Sequence, residues 1–331
     1  MSDWKLNKPV AFIVFNRPDT TRRVFEHIRA ARPPRLLIIA DGPRASRPGE
    51  AQRCADTRAV AQQVDWPCEV ETDFSKANLG CRRRVASGID WVFSRVTEAI
   101  ILEDDCLPHP SFFRYCAELL DRYRDDPRVG MIAGTRLHAA GATGEASYFF
   151  SKYASIWGWA TWRRAWARYD HSAANWPELR RSGAFEALTS TRERRYWEQA
   201  FEGVHRRAID TWDYQWTLTC WCESMLSVVP RDNLISNIGF GLDATHTTSV
   251  GRYANLPTTA MAFPVVHPPL ILASRAADAA FAAAAFGESW RAKLKRRLGL
   301  SRLKRLIQGV PPAKPAPATA PGAGTGAASA E

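Results

Sequence analysis

Residues 99–110 read AIILEDDCLPHP. A short apolar run, long enough for the core of a buried strand, ends abruptly in Glu103, Asp104 and Asp105. Adjacent carboxylates repel and raise one another's pKa, so the stretch is costly unless something positive is meant to sit there. Working outward, the same form recurs. Apolar or β-branched runs at 10–15 (VAFIVF), 36–40 (LLIIA), 69–72 and 129–133 alternate with polar stretches of helical spacing at 20–31, 50–64, 81–96 and 110–124. Near-continuous apolar strands between helices predict an α/β fold, a mostly parallel sheet covered on both faces by helices.

Ligands of such sheets bind at the carboxyl ends of the strands, and that is where this chain puts its charges. Asn16-Arg17-Pro18-Asp19 follows the first strand, Asp41-Gly42-Pro43-Arg44 the second, and Glu103-Asp104-Asp105 the fourth. Each turn has a plain reading: Asp19 or Thr20 as a helix cap, Asp41 in a β-turn, the acidic triplet as a solvated turn before a helix. Each also has a functional reading. An Asp at a strand end can hold a nucleotide base or ribose, and clustered carboxylates can hold a divalent cation and, through it, phosphate oxygens. Three such turns on one sheet edge favour function.

The middle of the chain changes character, with nine of its 13 tryptophans between Trp157 and Trp221. Trp159, Trp162 and Trp166 have i, i+3, i+7 spacing, which predicts an aromatic core stripe on a helix. In DTWDYQW (210–216), Asp210 could cap a helix with Asp213 in its first turn. For Asp213 the spacing of Trp212 and Trp216 instead predicts a carboxylate walled by indole faces, partly desolvated and so more basic. His246 in DATHT could be a metal ligand, a phosphate contact or a satisfied loop histidine; His109, His138 and His267 read as structural.

The net charge of +11 resides largely in the C-terminus. Residues 282–331 hold nine Lys/Arg against two Glu, leaving 36 basic and 32 acidic residues elsewhere. A nucleic-acid-binding core, with basic residues spread over its surface, is therefore not expected. A single folded domain is expected over 1–272, with halves at about 8–135 and 136–272. Residues 273–310 read as a basic amphipathic helical tail, whose Trp290, Leu294 and Leu298 face could lie on an anionic membrane or on the core. Residues 311–331 (PPAKPAPATAPGAGTGAASAE) are expected to be disordered. The apolar run near the start is too short for a signal peptide, and no stretch approaches the length of a membrane span. Seven scattered cysteines without zinc spacing fit free thiols in a cytoplasmic setting. Walker A, GxGxxG, GxSxG and HExxH motifs do not occur.

In order, FIVFNRP, IIADGPR, NLGCRRR, ILEDDCLPHPSFFRYC, WGWATW, DTWDYQW and SNIGFGLDATHT resemble the bacterial GT-A glycosyltransferases of the hemolysin-like, family-2-like group. The chain is also similar, more distantly, to the animal N-acetylglucosaminyltransferase I family. The resemblance spans about residues 8–250. It implies a GT-A, Rossmann-like nucleotide half and an α-rich, Trp-containing acceptor half. It further implies that Arg17 and Asp41 contact the uridine of a UDP-sugar, that Asn78 lies near the nucleotide, and that Arg82 or Arg83 faces the phosphates. Asp105 would bind Mn²⁺ or Mg²⁺, Glu103 and Asp104 the ribose and donor sugar, and Asp213 would be the catalytic base, with Asp210 one loose register away. His246 matches a late metal-binding position of some GT-A enzymes. The implied activity is metal-dependent, inverting transfer from a UDP-sugar to a glycan or lipid-linked acceptor in polysaccharide synthesis, at or near the inner membrane face. The alternatives are an inactive GT-A domain that binds a glycan or a protein, and a sugar-nucleotide pyrophosphorylase. The latter is disfavoured because FNRPDTT lacks a Gly-rich phosphate loop.

Overall fold

A computed structural model of the chain describes residues 4–137, 145–240 and 253–286. Strands β1 (Val10–Val14), β2 (Arg35–Ala40), β3 (Glu69–Phe74) and β4 (Glu98–Glu103) alternate with helices α1 (Pro18–Ala31), α2 (Glu50–Ala61) and α3 (Gly80–Arg95). They form one parallel block in the order β3-β2-β1-β4. Period-two burial builds both faces at once. Val10, Phe12 and Val14 of β1 join Val24, Phe25 and Ile28 of α1 in one cluster, while Ala11 and Ile13 join Val85, Ile89 and Val92 of α3 in another. α1 starts two residues before the expected 20, with Arg17 rather than Asp19 or Thr20 at its N-cap, Pro18 in the first turn and Asp19 near the positive helix end. At the outer edge, β3 carries Glu69, Glu71 and Asp73, charges that discourage further strand pairing.

Beyond β4 the topology departs from simple alternation. A short β5 (Cys106–Pro108) leads to α4 (Ser111–Arg122) and then to β6 (Val129–Ala133), β7 (Tyr148–Ser151) and β8 (Trp159–Trp162). Helices α5 (Arg163–Trp166), α6 (Trp176–Arg181), α7 (Ala184–Leu188), α8 (Arg194–His205) and α9 (Asp213–Cys222) follow, then β9 (Leu226–Pro230), β10 (Ile235–Asn237) and α10 (Arg275–Ala285). The eight-stranded sheet continues β4-β8-β6-β9-β7, and β8 runs antiparallel to both β4 and β6. β10 pairs antiparallel with β5 in a separate two-stranded sheet. The fold is mixed α/β, with a large, mostly parallel sheet flanked by helices.

The tryptophan stripe lies in the core, but its predicted helix does not exist. Trp159 and Trp162 belong to β8, where an offset of three residues points side chains to opposite faces. Trp159 enters the α3-side cluster and Trp162 the α1-side cluster, while Trp166, from α5, rejoins Trp159. The demand for a strand between β4 and β6 overrides the local periodicity.

α10 begins three residues beyond 272. Ser274 caps it, Phe281 and Ala282 enter the cluster around Trp197 and Trp221, and Asp278 accepts hydrogen bonds from the Ser151 hydroxyl and the Lys152 backbone N–H. This helix therefore belongs to the packed unit Met1–Gly287. His138, His246 and the basic and low-complexity segments after 286 lie outside the described residues. All seven cysteines are free, and among the described residues no helix is long and apolar enough to cross a membrane. His109 pairs with the Ser111 hydroxyl and His267 with the Tyr148 hydroxyl, both structural contacts.

Candidate functional site

The chain passes from β1 to β2 and β3 on one side and returns to place β4 on the other. Such a reversal leaves a crevice at the strand ends, and Arg17 meets the acidic triplet there. Its guanidinium donates to Asp104 and, at 3.0 Å, to the Asp105 Oδ2. The Phe15 backbone N–H donates to the other Asp104 oxygen at 3.3 Å. The side chains of Asp104 and Asp105 are only 4% and 16% exposed, so the ion pairs are poorly screened.

The electrostatics follow from burial. Glu103 is held well above the usual carboxyl range by burial and then by Asp105 and Asp104, with Arg17 opposing and Asp213 adding to the rise. Asp104 is raised too, because burial outweighs the relief Arg17 supplies. For Arg17, burial works against its charge, yet the two aspartates overcome it and secure the cation. One guanidinium thus pairs with two aspartates, while Glu103 feels its charge only through space.

β10 closes one side. The Ile238 N–H donates to the Asp105 backbone carbonyl at 2.9 Å. A side chain at Gly239 would meet the Asp105 carboxylate at 2.0 Å and Arg17 Nη1 at 2.8 Å, so only glycine permits the loop to cross there. Phe240 stands edge-on to Trp157, 5.7 Å away.

Asp41 is used differently. Its carboxylate accepts from the N–H groups of Gly42 (2.8 Å), Leu79 (2.9 Å) and Gly80 (3.2 Å), and from Asn78 Nδ2 (2.9 Å). These bonds tie the end of β2 to the start of α3 and engage its lone pairs. Burial raises its pKa despite them. Asn78 also donates to the Gly42 carbonyl at 3.0 Å.

Asp210 does not cap its own helix. It reaches the Arg82 N–H at 3.3 Å, at the start of α3, and lies against Gly80, whose φ of +78 disfavours any side chain. Asp213 opens α9 and accepts from the Thr211 hydroxyl. The expected indole walls are a correction: Trp212 and Trp216 are 2% and 0% exposed and pack with Trp159 and Trp166 in the core. Their hydrophobic area is worth more inside than beside a carboxylate. The aromatic groups that feel the Asp213 charge, after burial, are instead the phenols of Tyr169, Tyr196 and Tyr214.

Cys81 marks where these elements meet. Burial raises its thiol pKa first, and Glu103, Asp213, Asp210 and Asp41 all raise it further. Arg17, Glu103, Asp104 and Asp105 are therefore assembled directly, Asp41 and Asn78 brace the adjoining turn, and Asp213 approaches from the opposite side of the chain. Arg82 is half-buried and Arg83 exposed; His246 lies outside the described residues.

One member of the surroundings had no sequence signal beyond its helix position. Glu50, fully buried, accepts from Asn16 Nδ2 at 2.8 Å and from the Arg44 N–H at 2.7 Å, and pairs with the Arg44 guanidinium. Arg44 and the other donors lower its pKa to about 2. It fastens the turn carrying Arg17 to the start of α2.

Among the described residues no group of three or more His, Cys, Asp or Glu side chains is assembled to hold a metal. Asp104 and Asp105 do already share one cationic group, and their donors are hard oxygens. That suits a Mg²⁺-like ion taking one or two carboxylates and completing its shell with phosphate and water.

No protein-family model matches the chain, and no curated protein matches it. Among solved structures it is similar to a UDP-glucose pyrophosphorylase complexed with UDP-glucose, with 9% identity and a TM-score of 0.36, over 68% of this chain and 90% of that one. A likeness of that size fixes neither substrate nor reaction.

Proposed function

We propose that the protein is a GT-A glycosyltransferase that uses a divalent metal. It would move a sugar from a UDP-sugar to a hydroxyl of a glycan or lipid-linked acceptor in cell-surface polysaccharide synthesis. The observation that supports this reading is the Arg17–Asp104–Asp105 cluster at the carboxyl edge of the parallel strands, with Glu103 beside it feeling the charge of Asp213 from α9. A cation-seeking cluster and a separate carboxylate base are the two parts such a transfer needs.

In this scheme Asp213 takes the proton of the acceptor hydroxyl, and the oxygen attacks the anomeric carbon. The bond from that carbon to the diphosphate breaks, and UDP leaves with the electron pair. One displacement inverts the anomeric centre. Asp105, with Asp104 beside it, would hold Mn²⁺ or Mg²⁺, which when bound neutralises charge on the leaving diphosphate. Arg17 is positioned to share that task, while Asp41 and Asn78 shape the turn at the nucleotide end. His246 is proposed as a further ligand. A cytoplasmic site at the inner membrane face, with the basic tail on anionic lipid, fits a lipid-linked acceptor.

Calorimetric titration of UDP with Mn²⁺ and again with EDTA tests the reading. Metal-dependent binding is expected, followed by UDP release from a UDP-sugar once an acceptor is present. Absence of UDP binding in both conditions overturns it; binding without any turnover favours a glycan- or protein-binding module.

A further inference from the structure

Among the described residues five large apolar side chains are exposed, and Tyr196 is the one aromatic in that set, at 42%. Exposed rings are ordinarily mobile, but this one is held. It lies 4.7 Å from the Phe286 ring and edge-on to Trp197 (5.2 Å) and Tyr214 (6.2 Å). Its hydroxyl shares a 2.7 Å hydrogen bond with that of Tyr214. Three elements thus contribute to one surface: Tyr196 from the first turn of α8, Tyr214 from α9, and Phe286 from the end of α10.

The surface also adjoins the chemistry. Tyr214 follows Asp213 in α9, and the Asp213 charge adds to the effect of burial in raising both phenols. We infer that Tyr196, Tyr214 and Phe286 form the acceptor subsite, a stacking platform for one pyranose ring that presents its hydroxyl to Asp213. This rests on Asp213 being the base of the transfer proposed above.

The chemistry of the platform selects a carbohydrate. A pyranose turns a face of C–H groups to the negative π-face of an aromatic ring, and its rim of hydroxyls needs partners that both donate and accept. The Tyr196–Tyr214 hydroxyl pair supplies both at the edge of the platform. A hydrocarbon chain would leave those hydroxyls without use and would lie beside a carboxylate. Because the rings are already fixed by one another, little ordering entropy is lost on binding.

The test uses the full-length protein with UDP and Mn²⁺, probed by saturation-transfer NMR against methyl α- and β-glycosides of glucose, galactose and N-acetylglucosamine. At least one glycoside should receive saturation on one ring face. Tyr196→Ala should weaken it about tenfold, and Tyr196→Phe, which keeps the ring and breaks the hydroxyl pair, about threefold. No glycoside binding by the unmodified protein, or binding unchanged in Tyr196→Ala, overturns the subsite. Calorimetry of UDP on the same samples separates the two failures. UDP binding without glycoside binding removes the platform alone. Glycoside binding that depends on Tyr196 without UDP binding keeps the platform and removes the donor reading.

Discussion

Two strand ends, one at β2 and one at β4, carry carboxylates at equivalent places and treat them in opposite ways. Asp41, directly after β2, accepts from the adjacent Gly42 N–H and, at the start of α3, from two backbone N–H groups and the Asn78 side-chain amide. Asp104 and Asp105, at the end of β4, share the single guanidinium of Arg17, and Glu103 beside them feels its charge without bonding it. The difference is donor supply. A helix N-terminus brings unpaired N–H groups, so an acid that meets one becomes a structural fastening. The acids after β4 meet a second short sheet whose backbone bonds are already made, and the Arg17 guanidinium is the cation that Asp104 and Asp105 pair with.

The largest expected effect is at β4. Asp105→Ala should abolish metal-dependent turnover and cut metal-dependent UDP affinity by roughly 100-fold while shifting Tm by no more than about 2 °C, as activity assays, calorimetry and thermal melts would show. Next comes Asp213→Asn. Turnover should fall on the order of 1000-fold with UDP affinity unchanged, since in the proposed scheme that carboxylate would act on the acceptor side.

At β2 the balance reverses. Asp41→Ala strands several N–H groups and should cost about 2–3 kcal/mol of stability, read from denaturant unfolding. A loss of UDP affinity with no loss of stability would break the contrast between the two strand ends.

The smallest effect is in pH. Glu103 and Asp104 are raised in the folded chain, so between the unfolded and folded values the native state holds protons that the unfolded chain has released. The contribution of these two groups to ligand-free stability should therefore fall as pH climbs above about 4. Against Glu103→Gln, the unmodified protein should be equally stable in acid and less stable at pH 8, by on the order of 1 kcal/mol. Parallel melting curves for the two proteins across that range would count against an undercompensated cluster.

How far the sequence could be read depended on distance along the chain. Strands β1 to β4 and β6 and helices α1 to α4 were legible because their signals are local: apolar or β-branched runs and helical spacing. The charged turns at the strand ends were legible for the same reason. β8 was not, because Trp159 and Trp162 carry a helical spacing that only the space between β4 and β6 turns into a strand. Asp210 looked like the cap of the helix behind it, whereas its partner is the Arg82 N–H, far back in the chain.

The sequence by itself determined the alternating parallel half and the charges at its edge, since periodic burial and strand-end turns are written in neighbouring residues. Tertiary structure alone decided which carboxylate would be satisfied by a helix N-terminus and which would face one arginine. It also decided that the tryptophans near Asp213 belong to the core while Tyr196, Tyr214 and Phe286 form the surface beside it. Those outcomes depend on which distant segments the sheet order brings together, and hydrogen-bond donors and aromatic neighbours are supplied across space.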